Sequence, residues 1–168
     1  MGKPLTRTRE IFLPANSAFT DGTPAAEVGG AAYGVIILVD GATKTIYWTL
    51  KVPPDFLSLV SVKLIWISVA AAGDINLGWW AFYGAEGENR IAGSDPLAYA
   101  VDATNGANII NATNRPLTLP ALKRGDYVGI QTSRGAALAA DTLNADVQVF
   151  GLLFTYIGER DGKIYGGT

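Results

Sequence analysis

The chain contains no cysteine and no histidine among its 168 residues. Without cysteine there is no disulfide, no thiol nucleophile and no thiolate-ligated metal, and the redox compartment stays open. Without histidine the commonest general base, the usual zinc ligand and the Ser-His-Asp triad are all missing. Charge is also scarce. Asp, Glu, Lys and Arg make up 17% of the chain, where an ordinary soluble domain has roughly 25%, so part of the surface is expected to meet protein instead of water. A net charge of −2 leaves no basic stripe, and no nucleic-acid partner is expected. No uninterrupted apolar run approaches the roughly 20 residues of a membrane helix. The stretch from Leu5 to Ile11 holds two Arg, two Thr and a Glu, not the apolar core of a signal peptide. Neither a membrane partner nor a secretory route is expected.

Helical periodicity is almost absent too, with room for one turn at 53–60 and another at 136–143. The rest reads as strands and turns. Thr45 to Val52 alternates cleanly, with Ile46, Trp48, Leu50 and Val52 on one face and Thr45, Tyr47, Thr49 and Lys51 on the other. That is the period of a strand lying on a core. Asp40-Gly41-Ala42-Thr43 before it reads as a hairpin turn joining it to a strand at Ala32–Val39. Ser61–Ala70 and Asp74–Tyr83 read as a second strand pair, and Leu117-Thr118-Leu119 between two prolines as an edge strand. Gly84–Arg115 is Gly-, Asn- and Asp-rich and too long for a structureless connection. Short strands are expected within it near Leu97–Val101 and Ala107–Asn111. Lys123-Arg124-Gly125-Asp126 turns the chain into Tyr127–Thr132, and Asp146–Ile157 closes it as a long strand. Strict alternation along that last strand puts Val147, Val149, Leu153 and Ile157 on one side and Phe150, Leu152, Phe154 and Tyr156 on the other. Both sides are apolar, so it needs cover beyond one core. Seven to nine strands of this kind make an all-β sandwich or barrel.

The candidate functional residues are few. Trp79-Trp80 places one indole on each side of a sheet, and an exposed one is a platform for a sugar ring; the competing account puts one in the core and the other at an interface. Phe150, Phe154, Tyr156 and Tyr47 are the candidate interface residues. Glu86, Glu88, Asp95 and Asp102 are oxygen ligands in a loop, the chemistry of Ca²⁺, but without the spacing of an EF-hand; a solvated loop is the better account of them. Carboxylate pairs can run a glycosidase, yet no cleft motif accompanies them. Arg124-Gly125-Asp126 is a turn before it is an adhesion tripeptide, Asn111-Ala112-Thr113 matches the glycosylation sequon without a secretory context, and Asp141-Thr142 suits a local side-chain-to-backbone turn. No catalytic residue, metal ligand or cofactor site is assigned.

Four segments carry a resemblance: Lys51-Val52-Pro53-Pro54-Asp55-Phe56 closing a strand, Val62-Lys63-Leu64-Ile65-Trp66 opening the next, the Leu122–Asp126 turn, and Ser133–Leu143 leading into the last strand and Tyr156. In order and spacing they resemble small all-β virion proteins of tailed phages, of the capsid decoration, head-fibre or tail-accessory type. The resemblance implies a two-sheet antiparallel β-sandwich, jelly-roll-like, usually a homotrimer, with a structural role and no catalysis. The expected organisation is an N-terminal arm at 1–10, a sandwich at 11–157 and a Gly-rich tail at 158–168, which is either mobile or grips a neighbour. The expected partners are other copies of the chain and further virion proteins, and the expected location is a virion assembled in a host cytoplasm. The alternative is a carbohydrate-binding jelly-roll module using Trp79 or Trp80.

Overall fold

The structure, a computed structural model, describes residues 6–20, 34–89, 93–115 and 117–159. It contains ten strands: β1 (Thr6–Pro14), β2 (Phe19–Thr20), β3 (Ile36–Leu38), β4 (Thr43–Lys51), β5 (Phe56–Ser68), β6 (Asp74–Gly84), β7 (Gly93–Ala103), β8 (Asn111–Arg115), β9 (Tyr127–Gly135) and β10 (Val147–Glu159). A single 3₁₀ turn, Ala15–Ser17, is the sole helical element among the described residues, and the helical turn expected at 53–60 is instead the start of β5.

Two five-stranded sheets face each other. The first runs β1-β10-β5-β8, with β3 pairing β10 beyond the end of β1; the second runs β2-β4-β9-β6-β7. Every pairing is antiparallel. With the short β2 and β3 set aside, eight strands in chain order give the sheet orders 1-8-3-6 and 2-7-4-5, which is the jelly roll. One consequence corrects two expectations. The Asp40–Gly41 turn, with Gly41 at φ +73°, joins no hairpin, because β3 belongs to the first sheet and β4 to the second. Likewise β5 and β6 are not a pair; the chain crosses between sheets at Ala71–Gly73. Apolar alternation marks a strand but does not name its neighbour.

Other boundaries move for identifiable reasons. Thr6–Glu10, expected in a solvated arm, pairs with Glu159–Thr155 as the first half of β1. Backbone pairing does not require apolar side chains on an exposed edge. Gly158 and Glu159 likewise belong to β10, whereas residues 1–5 and 160–168 of the expected arm and tail lie outside the described residues. Leu117–Leu119 is not a strand; Leu119 instead tucks into the core beside Leu122. The Gly84–Arg115 segment supplies the eleven-residue β7 and the five-residue β8.

The core between the sheets contains the fully buried Trp48, Trp66 and Phe154, with Ile46, Leu64, Leu77, Ile130 and Leu152. Phe56, Phe154 and Tyr156 form an aromatic triangle with ring centroids 5.8 to 6.4 Å apart. Phe154 and Tyr156 are therefore core residues, not interface residues. The cause is a bulge in β10. Its register against β5 slips between Val149 and Gly151, so Val147 and Val149 share the core face with Leu152, Phe154 and Tyr156, and Phe150 turns outward with Leu153 and Ile157. A side chain at Gly151 would run into the Leu13 carbonyl oxygen and the Phe12 ring.

A buried ion pair, Arg134 with Asp141, lies at the edge of this core. On β9 the inward positions are Val128, Ile130, Thr132 and Arg134, all buried. The Arg134 guanidinium donates from Nε and Nη2 to the two oxygens of Asp141 at 3.0 and 2.9 Å. It also donates to the carbonyls of Leu38, Ala145 and Leu143 at 3.2, 2.8 and 2.6 Å. Asp141 further accepts from the Asn76 amide, and Thr142 Oγ1 from the Asp74 amide. Asp141-Thr142 thus fixes the 136–146 loop through long-range bonds to β6 and β9, not through the local turn its sequence suggests.

Candidate binding face

Phe19, Trp80, Tyr99 and Tyr127, four of the five exposed aromatics among the described residues, lie on the outward face of the second sheet. The strand register places Phe19 opposite Tyr47, Tyr47 opposite Gln131, and Gln131 opposite Trp80. Directly opposed residues of an antiparallel pair project to the same face. The result is one row across four strands, with Phe19 70% and Trp80 39% exposed. Strands stand about 4.8 Å apart, so Tyr47 and Trp80, two strands apart, lie roughly 10 Å from one another.

Neighbouring rows seat their rings differently from Trp80. Phe82 and Tyr99 face glycines across the ladder, and a Cβ on Gly129 would strike the Phe82 ring, as one on Gly78 would come within 2.7 Å of Tyr99. Those rings settle onto bare backbone. Trp80 faces Gln131, whose side chain occupies that space. The polar groups of the face are already ordered: Gln131 Nε2 donates to Ser133 Oγ at 3.3 Å, and the Ser133 and Thr45 hydroxyls share a 2.9 Å bond. At one end Lys51 Nζ sits 5.2 Å from the centre of the Tyr127 ring. Beside it Thr49, Phe82, Tyr127 and Glu88 line a cleft of about 250 Å³. Flat aromatic surface flanked by amides and hydroxyls is able to stack on the C–H face of a sugar and hydrogen-bond its hydroxyls.

The sequence-derived candidates distribute as follows. Trp80 is on this face; Trp79, 2% exposed, is in the core and is no platform. Tyr47 is half-buried on the same face, while Phe150 is half-buried on the outward face of the opposite sheet, so the four proposed interface residues do not form one patch. Glu88 accepts from the Ala85 amide, Asp95 from the Thr118 amide, and Asp102 pairs with Arg115 at 3.1 Å. Among the described residues no three carboxylates gather into a metal-binding group. Asp126 accepts from the Lys123 amide across the Gly125 turn, at φ +85°. Asn111 is 3% exposed, accepts from the Asn105 amide and donates to the Ile109 carbonyl; its sequon lies inside the fold. Phe19 and Gln131 were not singled out by the sequence, and only the register reveals that they complete the row.

No protein-family model matches the chain, and no curated protein does. The solved structures it is similar to include the CBM36-1 domain of a multidomain xylanase from the hindgut metagenome of Trinervitermes trinervoides, at 14% identity, TM-score 0.49, 87% of this chain and 96% of that one. A family 35 carbohydrate-binding module from Clostridium thermocellum is similar at 16% identity and TM-score 0.41, over 90% and 99% of the two chains. A family 11 module from the same organism, in complex with a β-1,3-1,4-mixed-linked tetrasaccharide, is similar at 8% identity and TM-score 0.42, over 89% and 82%.

Proposed function

We propose that the protein binds carbohydrate on the outward face of its second sheet, with Trp80 as the stacking ring, Tyr47 and Phe19 extending the row, and Gln131 supplying a polar contact between them. The observation that carries this reading is the register-aligned row Phe19–Tyr47–Gln131–Trp80, aromatic at both ends and flanked on β4 by Thr45 and Thr49. The role is recognition: Glu88, the one carboxylate lining the cleft beside Tyr127, accepts from the Ala85 amide, and Asp95 and Asp102 lie on the inward side of β7. Titration calorimetry against a panel of soluble β-linked and α-linked polysaccharides tests it. Trp80→Ala should lose at least tenfold in affinity with an unchanged circular-dichroism spectrum, the scale of one stacking contact removed. Wild type that binds nothing on the panel, or a variant that binds as well as wild type, sinks the reading.

A structural subunit of a virion or similar particle is the second reading, favoured by the outward face of the first sheet. There Phe12 is 49% exposed beside half-buried Leu153, Ile157, Ile65 and Ile67, which gives a surface suited to a neighbouring subunit. In that reading the chain forms a homotrimer that stabilises a larger shell.

A further inference from the structure

A sheet edge offers unpaired N–H and C=O groups to any passing strand, and folded proteins protect such edges with brevity, proline or charge. Apart from the three-residue β3 and the part of β4 that β2 does not reach, the described residues form four sheet edges, of which three are protected. β1 carries Arg7, Arg9 and Glu10 and ends at Pro14; β8 has five residues and ends at Arg115; β2 has two residues. The fourth edge, β7, is different. It is eleven residues long and pairs only with β6 among the described residues. After Pro96 comes Leu97-Ala98-Tyr99-Ala100-Val101-Asp102-Ala103, without proline or lysine. Leu97, Tyr99 and Val101 alternate along it at 42, 40 and 44% exposure. The one charge, Asp102, is already neutralised by Arg115. A strand of low charge with Leu97, Tyr99 and Val101 alternating on its exposed side, and with no lysine, is the sort of edge that is free to pair with its own kind.

We propose that β7 pairs antiparallel with the β7 of a second copy, centred on Ala100, joining the two second sheets into one ten-stranded sheet. The segment is self-complementary in that register. Tyr99 opposes the partner's Val101 and Leu97 the partner's Ala103, all on the outward face, and an aromatic ring against a β-branched side chain is among the favourable cross-strand pairs. On the inward face Ala100 meets Ala100 and Asp102 meets Ala98, so no like charges oppose. A register centred on Asp102 would oppose two carboxylates and is disfavoured. The pair is isologous and closes on itself, giving a dimer and not a fibre.

Two double variants at exposed positions test this without touching the core. In Tyr99→Lys with Val101→Lys, each lysine of one copy opposes a lysine of the other; Tyr99→Glu with Val101→Glu repels in the same way. Light scattering after size-exclusion chromatography, at micromolar concentration, should read a dimer for wild type and a monomer for each variant. An equimolar mixture of the two variants should recover the dimer, which an unfolded variant cannot do, and near-ultraviolet circular dichroism verifies the fold of each alone. Wild type that is monomeric, variants that associate as wild type does, or a mixture that stays monomeric overturns the proposal.

Discussion

Trp48 and Trp66 are both enclosed by the core, but their indole N–H groups are in different circumstances. Trp66 Nε1 donates to Thr113 Oγ1 at 2.9 Å, whereas Trp48 Nε1 has no partner among the described residues. Trp66→Phe leaves the buried Thr113 hydroxyl without its donor and should cost about 1–2 kcal/mol more than Trp48→Phe in urea denaturation. Removing the ring altogether is another matter: Trp48→Ala should lose roughly 3–5 kcal/mol, a large share of the about 5–15 kcal/mol a domain has. Tyr47→Ala, across the same strand, should lose clearly less in the isolated subunit. Tyr156 adds a pH dependence. Burial first, then its hydrogen bond to Asp55, raises the phenol above its ordinary value of 10.0. The fold holds the neutral form, so this contribution is complete below about pH 10 and is lost as pH rises through the raised value. Comparing Tyr156→Phe with wild type from neutral to strongly alkaline pH should show a shallower alkaline loss in the variant, the other tyrosines being common to both. Trp48 and the split fate of Trp79 and Trp80 were legible because period-2 alternation fixes opposite faces whatever the partner strand. Arg134 was not, although it shares parity with Val128, Ile130 and Thr132. An arginine in that series signals a buried ion pair only once an acid such as Asp141 is known to reach it.

At the scale of the element, β10 and the 136–146 loop depend on two local devices. The Gly151 bulge changes which residues face the core, and sequence alternation alone cannot locate an inserted residue. That is why Phe154 and Tyr156 read as an outer surface and Phe150 as their neighbour. Gly151→Ala should cost about 1–3 kcal/mol, since the Leu13 backbone and the Phe12 ring must both give way. Hydrogen exchange should then report faster exchange in β1 than elsewhere. The Arg134–Asp141 pair is the second device. Arg134→Met strands a buried carboxylate and should cost about 3–5 kcal/mol, while the double variant Arg134→Met with Asp141→Leu should recover part of the loss. A double variant no better than the single one would mean that the guanidinium matters for the carbonyls of Leu38, Leu143 and Ala145 more than for its charge partner.

At the scale of the whole molecule, the scarcity of charge found in the sequence maps to two outward faces of different character. The second sheet presents several exposed aromatic rings; the first presents Phe12, Leu153 and Ile157, with Lys63 opposite Leu153. If the first face joins subunits, Phe12→Lys should reduce the oligomer seen by light scattering without altering the thermal unfolding of the isolated subunit by more than a few degrees. The all-β class and most strand positions were legible; the sheet membership of each strand was not, because long-range pairing leaves little trace in local composition. That membership also governs how the chain comes together in time. Of all successive strands described, only β6 and β7 are hydrogen-bonded neighbours, and Thr6 pairs with Glu159 at the far end of the chain. Nearly every other ladder closes a long loop before it gains a contact, so folding should fall in the slow range of about milliseconds to seconds. The β6–β7 hairpin is the one cheap place to begin, and substitutions there should slow folding. Substitutions in the β1–β10 ladder, the last to close, should chiefly hasten unfolding.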